Sequence, residues 1–460
     1  MPNRAVGTHS QPDMKHLYHP TALDPAAPVP SWWRESVTAP PAEYAPLQGD
    51  IEAEVAIIGG GFTGLSAAYH LAKDHGIKAV VLERAYPGWG ASGRNGGFCC
   101  LGGSKLGWRK MITTYGLEEA RAFYQAQVES VRLVGDLLAS EGIDADRTAE
   151  GDVALAHRES MVAALATDAK FMANAFGAKP TVLDREGLKA RGLSGPHFHG
   201  GVDDEIGFGL NPFKYVTGLA RAAASRGVTI AGESPVTGWA RETYGHRLTT
   251  PRGSVRASKV LIATNGYTPE DLHPRFGGRL LPALSSVVVT RPLTEGERQA
   301  AGWTATTPSY DLLNLLHYFR LLPDGRFLFG GRGGVSAEPG ALARQSARIE
   351  AAFRRYYPAW AQVEITHRWS GFVCLAADLL PHIGAWEGEP GIYYAMAYHG
   401  NGVAMGSWSG RAVARLIGTG TDAAPKMLRQ PPPRFPFPPL RPLYLRGAYV
   451  KFGIEDALGR

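Results

Sequence analysis

The stretch EVAIIGGGFTGLSAAYHLA, residues 54–72, sets a run of buried-strand character against three spaced glycines and the start of a helical pattern. EVAIIG (54–59) reads as a strand covered on both faces, and LSAAYHLAKDH (65–75) has helical spacing with small residues on one side. In the turn between them Gly59 permits a tight reversal, Gly61 lets the backbone approach a pyrophosphate, and Gly64 lets the helix close on the strand. Phe62 and Thr63 then lie at the helix N-terminus, where free N–H groups and the positive end of the dipole favour an anion. A second strand, AVVLE (79–83), follows. Glu83 stands 19 residues past Gly64, where an acidic side chain accepts hydrogen bonds from ribose hydroxyls, with Arg84 next to it. Strand, glycine turn, helix and second strand together predict a dinucleotide site; a nicotinamide cofactor or S-adenosylmethionine can use the same opening.

The segment after the second strand separates these readings. In place of an ordinary crossover helix stands PGWGASGRNGGF (87–98), and its continuation GASGRNGGFCC (90–100) carries four glycines. A loop of this kind lies under an extended ligand and offers its own backbone donors. A flavin dinucleotide, with a bulky tricyclic ring beyond the pyrophosphate, gives it something to hold, through Ala91, Ser92, Arg94, Asn95, Gly96, Gly97 and Phe98.

A chain of 460 residues is long enough for two cores, and 44% hydrophobic with 20% charged residues is the composition of a folded globular protein. The net charge of +6 comes from 48 basic and 42 acidic residues without a Lys/Arg-rich block, which excludes nucleic acid as an expected partner. The first thirty residues lack an apolar signal core, and no stretch approaches the ~20 apolar residues of a transmembrane segment, so the expected location is cytoplasmic. Cys99, Cys100 and Cys374 make an odd count with two neighbours, which fits a reducing compartment, and no cysteine or histidine spacing suggests a metal.

Residues 1–49 read as an N-terminal extended arm with SWWRE (31–35) as an aromatic anchor, and residues 421–460 as a Pro-rich C-terminal tail. Helical spacing dominates 109–180, interrupted by the strand GDVALAH (151–157). NPFKYVTGLARAAASRG (211–227) is a capped helix, and KVLIATNGY (259–267) is a further strand running into a loop. Short apolar runs in 280–335, SSVVVT, HYFRLL and RFLFGG, predict an antiparallel sheet. The expected fold class is therefore α/β with an added antiparallel sheet.

In order, GGGFTGLSAAYHLA, VLER, GASGRNGGF, KVLIATNGY, YFRLLPDGRFLFGGR, WSGFVCLAADLLPHIG and YHGNGVAMGSWSG resemble the D-amino-acid-oxidase-type FAD-dependent oxidoreductases, and within them the γ-glutamylputrescine oxidase-like bacterial flavoenzymes. The resemblance spans about residues 30–420. It implies FAD, a Rossmann-like FAD-binding domain assembled from 50–108, 181–279 and 365–420, an α+β substrate domain from 109–180 and 280–364 built on an antiparallel sheet, a small-molecule amine substrate, and oxidation at a carbon bearing nitrogen by hydride transfer to the flavin N5, giving an imine that water hydrolyses. A neutral amine then requires no strong protein base. Val236, Thr264, Asn265, Gly266 and Gly371 are further expected cofactor contacts. Gly400, Asn401, Gly402 and Val403, turning into a helix, are expected to meet charge developing on the ring. Tyr318, Arg320 and His399 are the expected substrate-side residues; alternation along the strand puts Tyr318 and Arg320 on one face. Sarcosine-oxidase relatives attach FAD to a cysteine seven residues before an aspartate, whereas here that position, counted from Asp378, is Gly371, so the FAD is expected to be noncovalent. Those relatives also carry a lysine near the run matching RFLFGG. This run offers Arg326 and apolar residues, which predicts that a dye or quinone outpaces oxygen unless Arg94, Lys105 or Arg320 supplies the charge. A noncatalytic flavin binder, a subunit of a larger redox complex, and a nicotinamide-dependent dehydrogenase are the competing readings.

Overall fold

The computed structural model describes residues 17–38, 41–148 and 150–458. Two sheets organise these residues. The first has eight strands, in the order His382–Ala385, Ile392–Met396, Gly253–Ile262, Gly49–Ile58, Val80–Leu82, Thr229–Ala231, with the hairpin Gly238–Glu242/Gly245–Thr250 joined to Gly253–Ile262. Gly49–Ile58 pairs in parallel with Gly253–Ile262 and with Val80–Leu82, and its last four residues, Val55 to Ile58, are buried. That is the strand the apolar run predicts.

Helix Phe62–His75 leaves this sheet through the glycine turn and lies buried along its first ten residues. Gly64 is required there: a Cβ on it would stand 2.0 Å from the carbonyl oxygen of Gly59. A second helix, Ala404–Thr419, crosses the first at backbone contact, since a Cβ on Gly410 would meet the Thr63 carbonyl at 2.4 Å. Ser66 Oγ donates to the Ser407 carbonyl at 2.6 Å across the same crossing. The small residues of both sequences thus serve close helix packing.

The second sheet has nine strands, in the order Ile365–Leu375, Leu281–Thr290, Phe327–Gly334, His317–Leu321, Ser309–Asp311, Glu150–Ala156, Gly200–Gly209, Phe98–Cys100, with Thr181–Asp184 added beside Gly200–Gly209. Its pairings are antiparallel except for Ser309–Asp311 with Glu150–Ala156. The glycine loop is the link between sheets, because the chain leaves the first at Leu82 and enters the second at Phe98.

The structure differs from the sequence reading in the domain grouping and in the C-terminal segment. Thr181–Asp184, Gly200–Gly209 and Ile365–Leu375 pair within the second sheet, although 181–279 and 365–420 were grouped with the nucleotide-binding part; local apolar pattern does not specify a strand's partner, and here the pairing is long-range. The C-terminal segment is also more than a Pro-rich tail: its end forms helix Arg441–Leu458, which buries Leu445 against Leu281 and Ala283. Buried Arg441 fixes its start, with Nη2 at 2.6 Å from Glu270 Oε2. Of the N-terminal arm, 1–16 and 39–40 lie outside the described residues, as do 459–460 of the tail.

Candidate active site

A cavity of about 360 Å³ runs from the glycine turn, past the 89–105 loop, to the face of the second sheet. Its nucleotide end is lined by Gly59, Gly61, Phe62, Thr63, Glu83, Arg84, Val236, Thr264 and Asn265. At the N-terminus of helix Phe62–His75, Phe62 N donates to Ser92 Oγ at 3.0 Å, and Leu65 N returns to the Gly61 carbonyl. No protein acceptor is described for the N–H groups of Gly61, Thr63 and Gly64, which leaves three donors of the first turn for an anion.

Glu83 is placed differently from the simplest expectation. Its Oε2 accepts from Gly60 N at 2.6 Å and its Oε1 from Ala85 N at 3.0 Å, so the carboxylate ties the strand end to the turn. The carboxylate retains acceptor capacity beyond these bonds. Burial pushes its pKa up, opposed by these two N–H groups.

Ala91, Ser92, Arg94, Asn95, Gly96 and Phe98 all line the cavity. Asn95 spends its side chain on the loop itself: Nδ2 donates to the Ala91 and Ser92 carbonyls at 3.0 and 3.1 Å, and Oδ1 accepts from Gly97 N at 2.8 Å. Arg94 donates from Nε to the Trp89 carbonyl at 2.7 Å, with its guanidinium 4.7 Å from the Trp89 ring centroid. Three consecutive carbonyls of this loop are each held by a side-chain donor from elsewhere. Trp369 Nε1 donates to Arg94 O at 2.8 Å, Trp33 Nε1 to Asn95 O at 2.7 Å, and Arg320 Nε to Gly96 O at 3.0 Å. The aromatic anchor in the N-terminal arm is thus part of the cradle.

Arg320 therefore has a different role from the one alternation suggested. It does share a face with Tyr318, since Cβ atoms built on Gly96 and Gly97 meet Tyr318 and Arg320 respectively. Tyr318 reaches the cavity; Arg320 stops behind the loop, 1% exposed, and its Nη2 donates to the Leu210 carbonyl at 2.5 Å. Loss of hydration lowers its pKa to about 9. Gly64, Gly97 and Gly266 are likewise absent from the cavity wall; they permit close packing, with Gly97 against Leu210 and Gly266 against Phe372.

At the far end the wall is Tyr318, Gly371, His399, Gly400, Asn401, Gly402 and Val403. Asn401 Nδ2 donates to the Leu101 carbonyl and so fastens the 101–103 loop. His399, in the left-handed region at φ 53°, is held neutral: burial lowers its pKa to about 4. A bond of 3.1 Å to the Leu380 carbonyl assigns the proton to Nε2, and Nδ1 is left buried without a partner. Two cations complete this end: Lys105, which the sequence reading names as a substitute charge, and Arg332, which it does not. Arg332 donates to the His399 carbonyl at 3.3 Å and has lost hydration, which lowers its pKa. Lys105 faces the open cavity, and the Arg332 charge, ahead of burial, brings its pKa down to about 7. Strand alternation was the available signal for Arg332, two residues beyond Gly330, which pairs with Tyr318. Trp89, Tyr267, Tyr310 and Asp152 also line the cavity and were not anticipated.

These features fit FAD: free first-turn N–H groups at one end, and at the other an orphan buried Nδ1 and two cations with no described carboxylate partner. A mixed, centrally parallel sheet with a dinucleotide turn, sharing one chamber with a mainly antiparallel sheet, suits a dinucleotide-dependent oxidoreductase. The chain belongs to the family described as DAO, FAD dependent oxidoreductase, whose model matches residues 54–416. It is 31% identical over 379 residues to the probable oxidoreductase OrdL of Haemophilus influenzae, covering 82% of this chain and 85% of that protein. It is 28% identical over 428 residues to the γ-glutamylputrescine oxidoreductase of Escherichia coli, covering 91% and 96%. Glycine oxidase from Geobacillus kaustophilus superposes with a TM-score of 0.66 at 22% identity, covering 83% of this chain and 99% of that one. The protein is an FAD-dependent oxidoreductase. Among the described residues no helix is long and apolar enough to cross a membrane, and no His/Cys/Asp/Glu group has the arrangement of a metal site.

The indole bond of Trp33 carries an expected outcome. Trp33→Phe keeps a ring against Trp369 but leaves the Asn95 carbonyl unpaired, which should weaken FAD binding or folding by about 1 to 3 kcal/mol. Denaturant titrations of holoprotein and flavin-stripped protein measure both quantities; two unchanged midpoints would remove Trp33 from the cradle.

Proposed function

We propose that the protein oxidises the C–N bond of an amine or N-substituted amino compound, with noncovalently held FAD as the acceptor of the hydride and with an imine product that water hydrolyses. The observation that carries this reading is the single chamber joining the 59–64 turn to Tyr318 and His399 on the other sheet. When bound, FAD supplies the two-electron acceptor. The chain's part is to position and to bias charge. Tyr318 OH bonds Ser285 Oγ at 2.9 Å, and Ser285 also donates to the Gly331 carbonyl, so a fixed hydroxyl pair faces the substrate. Neutral His399 presents an acceptor rather than a charge. The N-terminus of helix Ala404–Thr419, with Lys105 and Arg332, favours negative charge arising on the ring. Attachment to Cys374 is disfavoured because burial keeps its thiol protonated.

Anaerobic addition of a panel of polyamines, γ-glutamylated amines, N-methyl amino acids and aminophosphonates tests the reading. At least one class should bleach the flavin absorption. If none does, a noncatalytic flavin protein or a subunit of a larger redox complex is the better description.

A further inference from the structure

The second sheet contributes a carboxyl group to the cavity that the proposed chemistry does not use. Asp152, on strand Glu150–Ala156, lines the chamber yet is only 7% exposed. Directly across the sheet from it is Asp204, and Asp203 is the next residue of that strand. Asp203 is paired with Arg191, and Asp204 Oδ1 accepts from Ile206 N at 3.0 Å. For Asp152 the one side-chain donor described is the Cys100 thiol, a weak one, and no cation is described beside it. Its charge is thus opposed by burial first and by two like-charged neighbours after that, which raises its pKa. Ionised, a carboxyl in that position is costly, so it rests protonated until a cation beside it holds the charge.

The surrounding wall suits such a cation. Tyr310 and Cys100 flank Asp152, and Tyr318 and Phe98, with ring centroids 5.7 Å apart, extend the aromatic surface. Carboxylate and aromatic rings together recognise ammonium groups. Resting on the reading that the chamber oxidises an amine, we propose that Asp152, with the rings of Tyr310 and Tyr318, forms a subsite for a second positive charge on the substrate, away from the C–N bond that reacts. The favoured substrates are then diamines or longer polyamine-like cations.

The test uses the FAD-loaded enzyme with three ligands of equal chain length: a linear α,ω-diamine, the corresponding monoamine, and the diamine with one nitrogen acylated. Binding is read from perturbation of the flavin absorption without turnover, and reduction by anaerobic stopped flow. The diamine should bind on the order of 100-fold more tightly than either singly charged ligand, and Asp152→Asn, with its flavin spectrum retained, should bring that ratio close to one. Equal binding of the three ligands by the unaltered enzyme, or an undiminished ratio in Asp152→Asn, overturns the subsite. Asp152-dependent diamine binding without any flavin reduction upholds the subsite and removes the oxidation reading instead. Should Asp152→Asn fail to retain FAD, Tyr310→Leu takes its place, with the same ratio expected to fall at least tenfold and an unchanged ratio overturning the proposal.

Discussion

Gly61→Val should purify colourless. A Cβ at Gly61 would stand 2.8 Å from Ser92 Oγ, the hydroxyl that accepts from Phe62 N at 3.0 Å, and the two further methyl groups of valine would fill the space over the first-turn donors. Displacing Ser92 loosens the glycine loop at the same time, so pyrophosphate contact and loop support fail together. Gly76→Ala is the matching control: its φ of 69° strains an alanine by roughly 1 kcal/mol, but a Cβ there meets nothing within 4 Å and lies at the far end of the helix. Acid precipitation reads both variants and the attachment. The unaltered enzyme and Gly76→Ala should release all their flavin into the supernatant, and Gly61→Val should have none to release. Yellow Gly61→Val protein would place the pyrophosphate elsewhere, and flavin remaining on the precipitated chain would contradict noncovalent binding.

The nucleotide end was legible because its determinants are local. Three glycines, a strand and a helix lie within residues 54–75, so their spacing reads without tertiary partners, although only Gly64, against the Gly59 carbonyl, is dictated by a near neighbour; Cβ atoms on Gly59 and Gly61 would meet Ala263 and Ser92. Asn95 and Arg94 were legible as loop residues, yet their bonding partners were not, since Trp33, Trp369 and Arg320 reach the loop from three distant segments. Arg320 shows the limit of periodicity: alternation gave the face correctly, but depth along that face decided that Tyr318 enters the cavity and Arg320 braces the loop from behind. Asp152 was hidden because its neighbours come from strands separated by about fifty residues on one side and far more on the other. Nothing in GDVALAH marks one acidic residue as facing a chamber. Helix Arg441–Leu458 was obscured by Pro442 in its first turn and the prolines before it, although Leu445 and the buried Arg441 anchor it.

Oxygen reactivity turns on the substitute charges that the sequence reading named beside the missing lysine. The run RFLFGG lacks a lysine, which argued for a dye or quinone as acceptor, but the same strand continues to Arg332, and Lys105 enters from the glycine loop's continuation. A positive charge beside the flavin stabilises the anion formed as oxygen takes its first electron, and does so strongly where water is scarce. Of the three substitute charges considered, Arg94 and Lys105 line the cavity and Arg320 does not. Lys105 carries the test because its pKa of about 7 lies in reach of experiment. The sign follows from the group: an amine is charged below its pKa, so reoxidation by oxygen should be fast at pH 6 and should slow as pH rises through about 7. In Lys105→Met the rate at pH 6 should fall on the order of 100-fold and lose its pH dependence, while reoxidation by an artificial dye stays the same. Stopped-flow mixing of substrate-reduced enzyme with oxygenated buffer gives both profiles. An unchanged oxygen rate in Lys105→Met would move the role to Arg332 or Arg94. Slow reoxidation at every pH in the unaltered enzyme, beside rapid turnover with dye, would restore the quinone-linked dehydrogenase that the bare sequence suggested.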